Sequence, residues 1–102
     1  MANLKFTKAV TVAMGQALGS DEAIKRLDLS ADIVNGWRNY FDRKTPKKMV
    51  ELVQQVAKDN KIDLATYEAD TSLSEVERVI AAAEMVLCTV DGFYRKMLTR
   101  PN

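Results

Sequence analysis

Histidine is absent from the 102-residue chain, and cysteine, proline and glycine occur only once, twice and four times. Without histidine, Cys88 has no partner for the usual nucleophile pair, and a single cysteine cannot close a disulfide within the chain. The sequence also has no glycine-rich phosphate loop and no group of side chains at metal-ligand spacing. These absences argue against an enzyme, and we predict no catalytic residue, no cofactor and no metal site.

Long apolar runs are absent as well. No stretch approaches the roughly 20 apolar residues that span a bilayer, and the N-terminal segment lacks the apolar core of a signal peptide. A single cysteine is typical of a reducing compartment. We therefore expect a soluble, cytoplasmic protein with no membrane partner, in which Cys88 is buried within the apolar run MVLC.

The residues that are present favour helices and an uneven charge. Hydrophobic residues make up 47% of the chain, which is enough for a modest core, and few glycines or prolines interrupt the sequence. Residues 1–48 carry nine basic and five acidic side chains, whereas residues 49–102 carry six and nine. A basic first half suggests that this half of the chain faces a polyanion.

Periodicity and capping residues divide the chain into five helical segments. Ser20 caps the second segment, Ser30 caps the third, Thr45 and Pro46 open the fourth, and Ser72 with Glu75 predicts a capping box before the fifth. The segments cover about residues 4–17, 21–27, 31–41, 46–58 and 73–98. We predict an all-α fold, with a small helix-turn-helix bundle of about four helices plus a long C-terminal helix. The bundle occupies residues 1–58, a polar connection follows over 59–71, and the long helix lies within 72–102.

Residues 18–37, LGSDEAIKRLDLSADIVNGW, have the pattern of a helix-turn-helix. This motif needs a small residue where its two helices cross and a turn residue that tolerates positive φ. It also needs apolar anchors beneath the second helix. The small residue here is Ala23 and the turn residue is Asp28. The apolar anchors are Val34 and Trp37. The other residues of the second helix are then free to meet a ligand.

This stretch resembles the helix-turn-helix of the phage lambda CII-type activators, which belong to the lambda-repressor-like group that includes Cro. The resemblance runs without gaps from Leu18 to Trp37, with Asp28 where the family usually has glycine. The family continues with a tryptophan–basic pair, an aromatic pair, a proline–lysine pair and an apolar helix. These correspond here to Trp37-Arg38, Tyr40-Phe41, Pro46-Lys47 and residues 49–56, so the resemblance covers about residues 4–57.

The resemblance implies a DNA-binding transcriptional regulator of phage or prophage type that inserts the helix over 31–41 into the major groove. The implied base-facing residues are Ser30, Ala31, Asp32, Asn35, Gly36 and Asn39. The implied phosphate contacts come from Arg38, Arg43, Lys44, Lys47 and Lys48. Double-stranded DNA is therefore the expected partner, with RNA polymerase or another regulator as a further one.

The fifth helical segment carries an a/d heptad seam across three repeats. At about 39 Å, this helix is long for so small a domain. We expect much of the seam to face a second chain in a homodimer or higher oligomer, in an antiparallel or bundle arrangement at least as readily as a parallel one. Docking of the helix on its own core is the open alternative. The seam residues are Val76, Ile80, Ala83, Leu87, Val90, Tyr94 and Met97.

A second class of function stays open. The presented face of the helix over 31–41 has no lysine or glutamine, and its one arginine, Arg38, lies near the helix end. This depletion favours a protein-interaction module, such as an antirepressor or adaptor, built on a helix-turn-helix scaffold without specific DNA readout. Salt-dependent binding to duplex DNA distinguishes the two.

Overall fold

Helices make up 77% of the chain. The computed structural model describes the backbone of residues 2–99 and the side chains of residues 2–89. This part contains no strand and six helices: α1 (Leu4–Leu18), α2 (Asp21–Arg26), α3 (Ala31–Arg43), α4 (Pro46–Asp59), α5 (Leu64–Glu68) and α6 (Glu75–Thr99). The predicted all-α class is confirmed, and the short α5 lies within the predicted connection. No helix across residues 2–99 has both the length and the apolar character needed to cross a membrane.

Side-chain caps start the first five helices. Asn3, Ser20, Ser30, Thr45 and Asp63 each accept a hydrogen bond from a backbone N–H two or three residues further along the chain. Such a cap typically stabilises a helix by about 1 kcal/mol. Because capping depends on neighbouring residues alone, the sequence predicts the caps at Ser20, Ser30 and Thr45, and the structure confirms them.

The start of α6 differs from the prediction. Ser74 and Glu77 form the capping box, in which Ser74 Oγ accepts from Glu77 N (3.2 Å) and Glu77 Oε1 accepts from Ser74 N (3.0 Å). The predicted box at Ser72 and Glu75 is wrong, because Ser72 donates its N–H and its hydroxyl to the Asp70 carboxylate. These bonds hold the preceding segment in a turn, so the helix begins two residues later than predicted.

Helix α1 lies at the centre of the fold and contacts α2, α3, α4 and α6. Its buried residues Val10 and Met14 belong to one apolar cluster with Trp37 of α3, Val53 of α4 and Leu87 of α6. Full burial of a side chain of this size stabilises the fold by about 1.5–3 kcal/mol. One core therefore joins the predicted N-terminal bundle to the first half of α6.

This packing corrects the expected role of the heptad seam. Ala83 and Leu87 are buried in the core of their own chain, so a second chain cannot reach them in this fold. At these two positions the open alternative, docking of the helix on its own core, is the one that the structure shows. Val76 and Ile80 remain exposed. The other predicted seam residues lie outside the described side chains; they are Val90, Tyr94 and Met97.

Cys88 is exposed, and the prediction that it is buried is wrong. The buried face of this part of α6 is made by Ala82, Ala83, Val86 and Leu87. These positions recur at the 3.6-residue period of the helix, and Cys88 falls outside the stripe that they form. An apolar run in sequence therefore does not place all of its members in the core.

Candidate nucleic-acid interface

A tight turn joins α2 to α3 and is closed by two backbone hydrogen bonds. Asp28 N donates to Lys25 O and Leu29 N donates to Ile24 O, both at 3.1 Å, which is the pattern of a Schellman motif. Asp28 has a φ of 55°, a left-handed conformation that aspartate tolerates better than most residues with a Cβ atom. The residue that the sequence selects for the turn therefore adopts the required conformation.

Three buried side chains hold α3 against the core. Ile33, Val34 and Trp37 are all buried, and Ser30 Oγ accepts from Ile33 N (3.2 Å) to fix the start of the helix. The sequence predicts Val34 and Trp37 as anchors but misses Ile33, which lies four residues before Trp37. Phe41, four residues after Trp37, is half-buried and lies 3.4 Å from the position that a Cβ at Gly15 of α1 would occupy.

The opposite face of α3 carries the residues predicted to face DNA bases. Five of them are exposed and Gly36 is half-buried; the exposed ones are Ser30, Ala31, Asp32, Asn35 and Asn39. Asp32, Asn35 and Asn39 follow one another along one side of the helix, because residues three and four apart share a face. This side offers two amide groups, which both donate and accept hydrogen bonds, and one carboxylate.

Arg38 makes a contact within the fold that the sequence does not predict. Its Nη2 donates to Leu18 O at 2.6 Å, and this carbonyl belongs to the last turn of α1, where helical carbonyls have no partner within the helix. The contact ties α3 to the end of α1 across 20 residues of sequence. Arg38 is therefore first of all a link between helices, and only its remaining N–H groups can reach a phosphate.

The other predicted phosphate contacts lie together where α3 ends and α4 begins. Arg43, Lys47 and Lys48 are exposed, whereas Lys44 is half-buried with its Nζ 5.9 Å from the centre of the Tyr40 ring. We call residues 43–48 the basic corner. Across the side chains of residues 2–89, the only salt bridge joins Arg26 to Glu84, so the cations of the basic corner have no acidic partner there.

The basic corner also opposes a general preference of helices. The N-terminus of a helix carries partial positive charge and favours acidic side chains. The first turn of α4 contains no acid, and Lys47 and Lys48 occupy its second and third positions. An anion bound at this corner would relieve the resulting repulsion. It would also meet the Lys47 N–H, because Pro46 has no N–H and the Lys48 N–H already donates to the Thr45 cap.

No family model, curated protein or solved structure matches the chain. The resemblance to the lambda CII-type activators therefore remains a prediction based on residues 4–57. The features that bear on function are the turn at Asp28, the exposed face of α3 and the basic corner.

Proposed function

We propose that the protein is a DNA-binding transcriptional regulator of the phage or prophage type that inserts α3 into the major groove. One observation carries the proposal: a capped helix, anchored on one side and exposed on the other, runs directly into the basic corner. A major groove admits one α-helix, and cations beside that helix can bind the flanking phosphates.

The exposed side of α3 suits a limited kind of base reading. Asparagine can pair with adenine through two hydrogen bonds, and a carboxylate can accept from the amino group of cytosine. Asn35 and Asn39 supply the first chemistry and Asp32 the second. The missing Cβ of Gly36 allows the helix backbone to approach the base edges closely.

The basic corner supplies the affinity that does not depend on sequence. Arg43, Lys44, Lys47 and Lys48 carry four positive charges, and Asp42 is the only acid between residues 38 and 48. Each neutralised phosphate releases condensed counterions, which favours binding most strongly at low salt. Base reading by the amides then adds discrimination to this general attraction.

Charge reversal and amide removal separate these two contributions. Fluorescence anisotropy with a labelled duplex of about 25 base pairs, at about 50 mM salt, measures the affinity. We expect Lys48→Glu to weaken binding to all sequences alike, whereas Asn35→Ala changes which sequences a random pool yields after selection. Lys58→Glu, at the far end of α4, is the matched control and leaves the affinity near that of the wild type. Binding that survives both Lys48→Glu and Asn35→Ala unchanged would place the DNA surface elsewhere.

The alternative, a protein-interaction module, draws on the exposed apolar side chains of Leu4 and Val12 on α1. Exposed apolar patches commonly mark surfaces that contact other proteins. Under this alternative the protein would not bind duplex DNA even at low salt. Lys48→Glu and Asn35→Ala would then leave its binding to a protein partner unchanged.

A further inference from the structure

An apolar groove lies between α1 and α4 and ends at the last turn of α3. Its volume is about 840 Å3. Leu4 and Val12 line it and are 53% and 60% exposed, with Met49 and Val50 of α4 beneath them. Exposed apolar side chains that lie together form a patch, so the groove presents an apolar surface that lacks a partner in the described chain.

The rim of this groove is positively charged. Lys8, Lys44 and Lys47 line it, against the single acid Glu51. The sequence alone does not group Lys8 with the basic corner, because the two lie far apart along the chain. An occupant of the groove should therefore combine apolar side chains with carboxylates.

The start of α6 has this combination. Val76 and Ile80 lie one turn apart and are 68% and 44% exposed, and the exposed acids Glu75 and Glu77 flank Val76. Of the large apolar residues that the structure places in solvent across residues 2–89, all but Met85 belong to this segment or to the groove. The two surfaces are thus complementary in polarity and opposite in charge.

Within one chain the two surfaces cannot meet. Phe6 and Ala9 line a cleft on α1 together with Glu75 and Val79, so these residues mark the side of α1 that faces the start of α6. Leu4 and Phe6 are two residues apart, which places them about 200° apart around the helix. The groove therefore opens on the side of α1 away from its own α6.

We propose that the groove between α1 and α4 receives the first two turns of α6 from a second copy of this chain. Val76 and Ile80 cover the apolar floor. Glu77 keeps its Oε1 on the Ser74 N–H in the capping box and meets the lysines of the rim through Oε2. A reciprocal contact closes as a symmetric dimer, and a one-way contact extends into longer oligomers. This proposal does not rest on DNA binding, although DNA should compete with self-association because both use Lys44 and Lys47.

The test is sedimentation velocity on the full chain over a concentration series up to about 1 mM, a range that detects weak dimers. We expect association that strengthens as salt is lowered. Lys8→Glu should weaken it roughly tenfold, a modest value for a charge pair at an interface. Glu77→Lys should weaken it more, because it also removes the capping box at the start of α6. The double variant Lys8→Glu/Glu77→Lys should associate more tightly than Glu77→Lys alone, and Glu77→Gln, which can keep the box, measures the loss of charge by itself. Circular dichroism checks that each variant remains folded, and Lys58→Glu serves as the control outside the groove.

Several outcomes would overturn the proposal. If the chain stays monomeric over the whole concentration series, a second copy does not occupy the groove. If Lys8→Glu leaves association unchanged, or if the double variant associates no more tightly than Glu77→Lys alone, the contact lies elsewhere on the chain. Lys8→Glu also changes the charge beside Lys44 and Lys47, so a neutral variant separates the two proposals. Val76→Ser should weaken self-association and leave the DNA affinity of the monomer almost unchanged. Failure of one proposal therefore leaves the other open to its own test.

Discussion

The conformation of Asp28 leads to a stability prediction that tests the turn before α3. At a φ of 55°, an ordinary residue with a Cβ atom costs about 1–2 kcal/mol, and aspartate lies at the low end of this range. Glycine removes this cost, but it loses more backbone conformational entropy on folding, which costs about 0.5–1 kcal/mol. We therefore expect Asp28→Gly to stabilise the fold by about 0.5 kcal/mol and Asp28→Val, which is β-branched, to destabilise it by about 1–2 kcal/mol.

Lys61 provides an internal comparison. Its φ is 58°, and it closes α4 with the same pair of hydrogen bonds, Lys61 N to Lys58 O and Ile62 N to Ala57 O. Lysine tolerates the left-handed region less well than aspartate, since it lacks the short polar side chain that favours this conformation. Lys61→Gly should therefore stabilise the fold by about 1 kcal/mol, roughly twice the gain from Asp28→Gly.

Thermal and urea unfolding measure these differences. For a domain of this size, 1 kcal/mol corresponds to a shift in Tm of roughly 4–8 °C. The matched control is Asp42→Val, in an exposed position of α3, where the same change should cost almost nothing because valine and aspartate have similar helix propensities. An Asp28→Val variant as stable as this control, or a clear loss of stability in Asp28→Gly, would refute a left-handed turn at residue 28.

Three further predictions follow from other contacts. Arg38→Met should lower the free energy of unfolding by about 1 kcal/mol, because Leu18 O loses its charged donor. Hydrogen bonds from Ser74 lower the pKa of Glu77 below its ordinary value of 4.5. The stability difference between wild type and Glu77→Gln should therefore persist at neutral pH and shrink as the pH falls through the lowered pKa. Partial desolvation of the Cys88 thiol raises its pKa above 9.0. A disulfide reagent should then label native Cys88 quantitatively, but more slowly at pH 8 than a free cysteine.

Each of these predictions has a control and a result that contradicts it. Lys58→Met should leave the Tm nearly unchanged, and an equal loss in both variants would show that the contact of Arg38 contributes nothing. Glu75→Gln removes a charge from the same turn without touching the Ser74–Glu77 pair. A pH dependence common to both glutamine variants would therefore contradict the role of the capping box. Labelling of Cys88 only in denaturant would mean that its thiol is buried.

Local features of this fold could be predicted from the sequence. The caps at Ser20, Ser30 and Thr45 and the turn at Asp28 depend on residues that lie within a few positions of each other. The same holds for Val34 and Trp37, whose spacing alone places them on one face of α3. The exposed positions of Asn35 and Asn39 follow from that same spacing, so the outline of the candidate interface was available from the sequence.

Features decided by distant or competing contacts could not be predicted in this way. The sequence offers two overlapping serine–glutamate pairs before α6, and the Asp70 carboxylate decides between them by binding Ser72. Arg38 finds its acceptor on another helix. A heptad pattern states which side of α6 is apolar but not what covers it, and the chain's own core covers Ala83 and Leu87.

The salt dependence of binding to a nonspecific DNA duplex tests the central claim most directly. If Arg43, Lys44, Lys47 and Lys48 each neutralise one phosphate, a plot of log K against log salt concentration should fall with a slope of about −4 for each bound protomer. Lys48→Glu should reduce the magnitude of that slope by about one. A slope near zero, or no measurable binding at about 50 mM salt, would contradict a phosphate-binding role for the basic corner and with it the proposed function.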